Sequence, residues 1–268
     1  MSTELHRAKS DKLFLGALFV FLGLYVSLIV AMLAADASFT APGDLWEAMQ
    51  SEEIRYATML SLVTATLTAI LSVWFAVPIG YVMTRFSFRG RALLDAVLDI
   101  PIVLPPMVIG LSLLILFATP IGKMIESIVP ITYQKPSIVL AQFAVACAFA
   151  VRTMIVTFQQ IDPRQEQVAQ TIGCSRGQAF FHVVLPQARR GMLSAFLLAW
   201  ARALGEFGPI LVFSGSVRMR TEVLPSTVFL ELSVGRIEAA VAVSLLMVAT
   251  ALTVLLIGRA FGLGRIGQ

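Results

Sequence analysis

The sequence predicts an all-α polytopic membrane protein with about six transmembrane helices. Three observations lead there. The chain is 58% hydrophobic, with a mean hydropathy of +0.86. Only 13% of its 268 residues are charged, where soluble domains carry about 25%, so a water-facing globule could not be coated. Six apolar runs, approximately 13–35, 58–83, 96–118, 137–156, 192–213 and 239–261, reach the roughly 20 residues that cross a bilayer. The whole chain, 1–268, reads as a single transmembrane domain.

The first run follows Arg7, Lys9 and Lys12, as a signal peptide would. Its apolar stretch exceeds the roughly 7–15 residues of a signal core, and no small-residue cleavage site follows, so it is kept as a span. Before the second run, the segment 35–57 carries Asp36, Asp44, Glu47, Glu52 and Glu53 against Arg55 alone. Arg55, Lys123, Lys135, Arg218, Arg220 and Arg236 fall on one side of the predicted topology, and the other 14 of the 20 Lys and Arg fall opposite, Arg202 included. Positive residues favour the cytoplasm, which places both termini there. That same distribution explains the net charge of +4 without nucleic acid.

The third run opens "LDIPIVLPPMVIG". Pro101, Pro105 and Pro106 cannot all sit in one regular helix, because each lacks an N–H and clashes with the preceding turn. Freed backbone at membrane depth must be buried in protein or face a cavity, so an irregular start is expected, packed against other spans or lining a path. Arg91, Asp95 and Asp99 precede it at four-residue spacing and read as a solvated ion-pair ladder. The fourth run holds Cys147, which with Cys174 makes no disulfide framework; both read as structural.

Between the fourth and fifth runs lies a polar hairpin, 162–186. Asp162-Pro163 is a helix start, with Gln165 where a capping box places Glu or Gln. Gly173 is the expected left-handed stop. Ser175 with Gln178 repeats the start signal, and Pro186 is expected to end the second helix. Val168 and Ile172 share one face of the first helix; Ala179, Phe180 and Val183 form a stripe on the second. Such short helices are marginal alone, so the hairpin either lies on lipid headgroups, held by Arg189 and Arg190, or docks a cytosolic protein.

The fifth run contains "ARALGEFGP". Arg202 and Glu206, four apart, share a helical face, and Gly205, Gly208 and Pro209 weaken the helix around Phe207. A charge at membrane depth costs at least about 2.5–3.5 kcal/mol. The pair therefore reads either as a self-satisfied intrahelical bridge or as residues beside an aqueous path, and the glycines as a kink or as tight helix packing. The sixth run closes the bundle, with Arg259 and Arg265 after it.

The hairpin resembles the EAA loop of ABC importer permeases: Glu-Ala-Ala, three residues, Gly, nine residues, Ile, one residue, Leu-Pro. Here the positions are Gln167-Val168-Ala169, Gly173, Val183 and Leu185-Pro186. The spacing is intact, with Gln167 for Glu beside Glu166 and Val168 for Ala. "RALLDAVLDIPIVLPPMVIG", "AFAVRTMIVTFQQIDPRQEQVAQTIG" and "ARALGEFGP" look like the molybdate, tungstate and sulfate branch, over roughly 45–213; Ser214–Glu238 fits that branch less well. The resemblance implies a type I importer permease fold in a bacterial inner membrane and import of a small oxyanion, molybdate before tungstate or sulfate. It implies two cytosolic ATPase subunits that hold ATP and Mg, an extracytoplasmic binding protein, and a second permease chain, a homodimer being expected. Coupling to the ATPases would rest on Glu166, Gln167, Val168, Ala169, Gly173, Leu185 and Pro186. The path or its gate would involve Arg202, Gly205, Glu206, Phe207, Gly208, Pro101 and Pro105.

No G-x-x-x-x-G-K-[ST] phosphate loop is present; Gly122-Lys123 is followed by Met. His6 and His182 are the only histidines, and no metal-ligand spacing occurs, so no cofactor, metal or catalysis of its own is expected of this chain. A secondary anion transporter or channel working without an ATPase, and a non-transporting membrane scaffold, stand as alternatives.

Overall fold

The computed structural model describes residues 12–263, and every described regular element is helical. His6, Arg7, Lys9 and Arg265, and the side chains of Lys12, Asp44 and Arg259, lie outside the described residues. In chain order the helices are α1 Lys12–Phe39, α2 Pro42–Gln50, α3 Glu52–Arg85, α4 Arg91–Val103, α5 Pro106–Ala118 and α6 Pro120–Ile128. They continue with α7 Lys135–Gln159, α8 Pro163–Thr171, α9 Arg176–Ala179, a π-helical turn Phe180–Val184 and α10 Leu185–Leu204. The last three are α11 Gly208–Phe213, α12 Leu224–Ser233 and α13 Ile237–Leu263.

Helices α3, α7 and α10 form the centre, packed along a seam of small residues. Ala65, Ala69, Ala76 and Gly80 of α3 meet Ala146 and Ala150 of α7 and Ala195, Ala199 and Ala203 of α10, the alanines being fully buried. Among helices in lipid, small side chains let backbones approach and supply the van der Waals contact that holds the bundle. A Cβ on Gly80 would stand 2.9 Å from that of Met154, which shows how close α3 and α7 run. Two polar ties pin α10 to this centre. The Trp200 indole N–H donates to Thr66 (3.1 Å), and the Gln142 amide donates to the Ala203 carbonyl (3.0 Å) while accepting from Thr68 (3.1 Å). Helix α1 lies outside this core, its apolar side chains exposed and α13 its main neighbour.

Two of the expected spans are not single helices. Run 96–118 is divided into α4 and α5, which meet at 110° across Leu104-Pro105. Pro101 is tolerated inside α4, whereas Pro105 and Pro106 cap and open α5, where a missing N–H costs nothing. Run 192–213 is divided at Gly205–Phe207 into α10 and α11, because Gly205 closes one helix and Pro209 opens the next. Among the described residues, four helices are long and apolar enough to cross a membrane, five with the bent pair counted as one; α10 carries Arg189, Arg190 and Arg202 and is not apolar enough alone. The two interruptions pack on each other. A Cβ on Gly110 would lie 2.7 Å from Pro209 Cα, and one on Gly208 would lie 3.1 Å from Met107 N and Pro106 Cβ.

At the end away from the hairpin, the segment 214–236 folds back over α3. Arg218 reaches Glu53 (2.5 Å) and Glu231 (2.7 Å), and Arg236 pairs with Glu231 (2.8 Å). Ser61 accepts the Leu224 N–H at 2.8 Å. Burial pushes the Glu222 carboxyl above its ordinary range.

Gly110→Ala should destabilise the fold by about 1–3 kcal/mol through overpacking of backbone on backbone, whereas Gly23→Ala, which meets nothing within 4 Å, should not. Thermal unfolding of the two detergent-solubilised variants measures the difference, and equal midpoints would contradict the close approach of α5 and α11.

Candidate functional site

The polar hairpin is built by local capping. Asp162 caps α8 by accepting the Arg164 N–H at 2.9 Å. At its far end, Gly173 adopts φ +101°, its N–H donates to the Gln170 carbonyl (3.1 Å), and the Cys174 N–H donates to that of Ala169 (3.1 Å). This pair of bonds is the Schellman stop, which a glycine takes without strain. Ser175 and Gln178 then make a full capping box, with the Ser175 N–H donating to Gln178 at 2.8 Å and the Gln178 N–H to Ser175 at 3.2 Å.

Two expectations fail here. Pro186 does not end the second helix: the chain passes through the π turn into α10 without a break. In that wider turn the Leu185 N–H bonds the carbonyl of Phe180, five residues back, so the ladder is already displaced where Pro186 withholds its N–H. The neighbouring Val183 carbonyl is taken by the Gln187 amide (2.9 Å). Gln165 makes no capping box with Asp162; its side chain accepts from Gln187 (2.6 Å) and braces α8 against α10.

Of the predicted coupling residues, the structure sends some inward and others out. Glu166 is 7% exposed and accepts a short hydrogen bond from the Tyr81 phenol. Its other oxygen lies 3.3 Å from Arg85 Nε, and Arg85 Nη2 donates to the Ile161 carbonyl at 2.8 Å. Ala169 is buried beside it. Gln167, Val168, Ile172 and Gly173 face outward, with Val168 61% and Ile172 79% exposed; Leu185 is half-buried and Pro186 exposed. The Tyr81 ring packs edge-on against Phe180 (4.6 Å), Phe158 (5.9 Å) and Phe86 (6.1 Å). The hairpin is thereby keyed to the end of α3, a contact across 85 residues of sequence.

The second predicted group sits at the break in α10. Arg202 Nη1 and Glu206 Oε2 are 2.5 Å apart, with Glu206 1% exposed and the Arg202 side chain 29% exposed. The guanidinium lies 5.9 Å from the centre of the Phe149 ring. Gly205 closes α10, Phe207 packs on Phe229 (5.2 Å) and Gly208 rests on Pro106. Pro105 is thus near this group through Pro106, whereas Pro101 stays within α4. Sequence reasoning passed over Gln142, Tyr81, Arg85 and Arg152. A lone amide inside an apolar run was a usable signal for Gln142. The expected Arg91 ladder is also corrected: the cation that takes Asp95 (2.7 Å) and Asp99 (2.5 Å) is Arg152, from α7.

Residues 76–262 match the family described as "Binding-protein-dependent transport system inner membrane component". The sulfate transport system permease protein CysT of Escherichia coli (strain K12) is 30% identical over 90% of this chain and 88% of its own. The probable molybdenum ABC transporter permease protein of Haloferax volcanii is 35% identical, covering 83% and 81%. The molybdate/tungstate transport system permease protein WtpB of Pyrococcus abyssi is 38% identical, covering 57% of each. A solved bacterial ABC transporter involved in the import of the acidic polysaccharide alginate shares the fold, with a TM-score of 0.74 and 17% identity over 96% of this chain and 97% of that one.

Removing Glu166 while keeping Arg85 would strand a buried guanidinium, at a cost of about 3–5 kcal/mol. Glu166→Leu should therefore lower the unfolding midpoint sharply, and Arg85→Leu in the same chain should restore part of the loss. Additive effects of the two changes in a double-mutant cycle would show that the pair is not coupled.

Proposed function

The chain belongs to the family of inner membrane components of binding-protein-dependent transport systems, and from that premise we propose that it is the permease subunit of an ATP-driven importer of a small oxyanion, molybdate first, tungstate or sulfate next. The observation that carries the reading is the hairpin. It is capped at each turn, anchored inward by Glu166, and presents Val168 and Ile172 outward. An apolar pair at i and i+4 is what a helix brings to a groove. A hairpin stiffened in this way passes displacement to α3, α7 and α10 rather than melting. In this reading two cytosolic ATPase subunits hold the ATP and Mg and grip the hairpin, an external binding protein delivers the ion, and a second copy of the chain completes the path. The excess of Lys and Arg on the hairpin side supports a cytoplasmic hairpin and termini.

The Arg202–Glu206 pair suits the cargo. A partly exposed guanidinium attracts an oxyanion, and its buried carboxylate partner prevents that attraction from becoming a trap, since passage needs binding weak enough to reverse. The relatives named for sulfate and for molybdate or tungstate support that class of cargo.

Affinity purification of the tagged chain from its native host should recover an ATPase; a folded preparation with none would sink the ATP-driven reading. Gly173→Asp places a side chain at φ +101° and should uncouple ATP turnover from transport, so normal substrate-stimulated turnover in that assembly would count against the hairpin's role. Glu206→Gln should cut uptake at least tenfold with assembly intact, and unaltered uptake would return the pair to a purely structural bridge.

A further inference from the structure

Where α8 meets the end of α3, the structure holds a small polar cavity of about 160 Å³, room for a handful of waters and far too little for a nucleotide. Two guanidiniums line it. Arg85 is held by Glu166 and the Ile161 carbonyl through Nε and Nη2, with a side chain only 10% exposed, and its Nη1 makes no hydrogen bond among the described residues. Arg176 stacks over the Phe86 ring at 5.7 Å, and its guanidinium has no ion pair or hydrogen-bond partner among the described residues. The Gln167 and Gln170 amides complete the lining, also unpartnered among the described residues. With one carboxylate, Glu166, against two guanidiniums, the cavity is net positive and rich in unused N–H donors. Planar guanidinium groups match the oxygens of a tetrahedral anion, and two of them line this one cavity.

We propose that this cavity is a binding site for a tetrahedral oxyanion, separate from the transport path and seated on the ion pair that ties the hairpin to α3. Its occupant competes with Glu166 for Arg85, so binding alters the tether. Resting on the oxyanion and cytoplasmic-hairpin readings above, the site is filled from inside once the imported ion accumulates. A lipid headgroup phosphate offers the same chemistry from a different source.

The test is equilibrium binding of radiolabelled sulfate and molybdate to the full chain in nanodiscs of phosphatidylcholine alone, at constant ionic strength. The variants are Arg176→Gln, whose side chain is exposed and outside the core, and Arg202→Gln, which removes the cation proposed for the path. Saturable binding that survives Arg202→Gln and weakens at least tenfold in Arg176→Gln supports the site. Binding that ignores Arg176→Gln overturns it, and binding lost only in Arg202→Gln overturns it while sparing the transport reading. Repeating the titration with 30% phosphatidylglycerol separates the sources: competition there assigns the site to the headgroup, and unchanged affinity assigns it to the free ion.

Discussion

Every backbone N–H and C=O that a helix gives up inside a bilayer must be taken by protein, because lipid offers no partner. This constraint organises the molecule. It contains two interruptions, at Leu104-Pro105 and at Gly205–Phe207, and they are stacked against each other through Gly110, Pro209, Gly208 and Pro106. At the second break Glu206 and Gly208 are buried, whereas Pro105 and Pro106 at the first stay exposed. The Ala203 carbonyl, at the end of α10, is held by the Gln142 amide, which is held in turn by Thr68. The break that carries Glu206 is therefore fixed by three helices at once, and the small-residue seam among α3, α7 and α10 exists at the separation those bonds require.

The same three helices carry the hairpin. Tyr81 and Arg85 are the last turns of α3, Phe158 belongs to α7, and Phe180 leads into α10. In the proposed coupling, a displacement applied to α8 would pass through Glu166 to α3, the helix whose alanines face α10. Glu166 and Glu206 are 40 residues apart in sequence, yet both are held against the packed helices α3, α7 and α10, which is a physical route between them without invoking a special pathway of residues.

Much of this was legible in the sequence where the signal was local. Asp162-Pro163, Gly173 and the Ser175–Gln178 box specify their own turns, so the hairpin could be drawn before it was seen, and the proline run announced an irregular third span. The EAA-like spacing located the loop but could not tell its inner face from its outer one, because Gln167 and Glu166 are neighbours and only packing decides which is buried. Arg85 with Glu166, Arg152 with Asp95 and Asp99, and Gly110 against Pro209 join residues 53 to 99 positions apart; no periodicity encodes such meetings. Pro186 misled for a different reason. A helix stop was the right inference for an α-helix, and the chain evades it by changing helix type.

That change of type has a consequence for how the protein can vary. A π turn holds one more residue than the α turn it replaces, and one residue is worth about 100° of helical rotation. The turn at Phe180–Val184 therefore sets the phase between the face of the hairpin that meets Tyr81 and the face of α10 that carries Ala199, Trp200 and Ala203. Either half can keep its own pattern of side chains because the extra residue absorbs the mismatch. Loss of that single residue would leave both patterns intact in sequence and bring only one of them into register at a time.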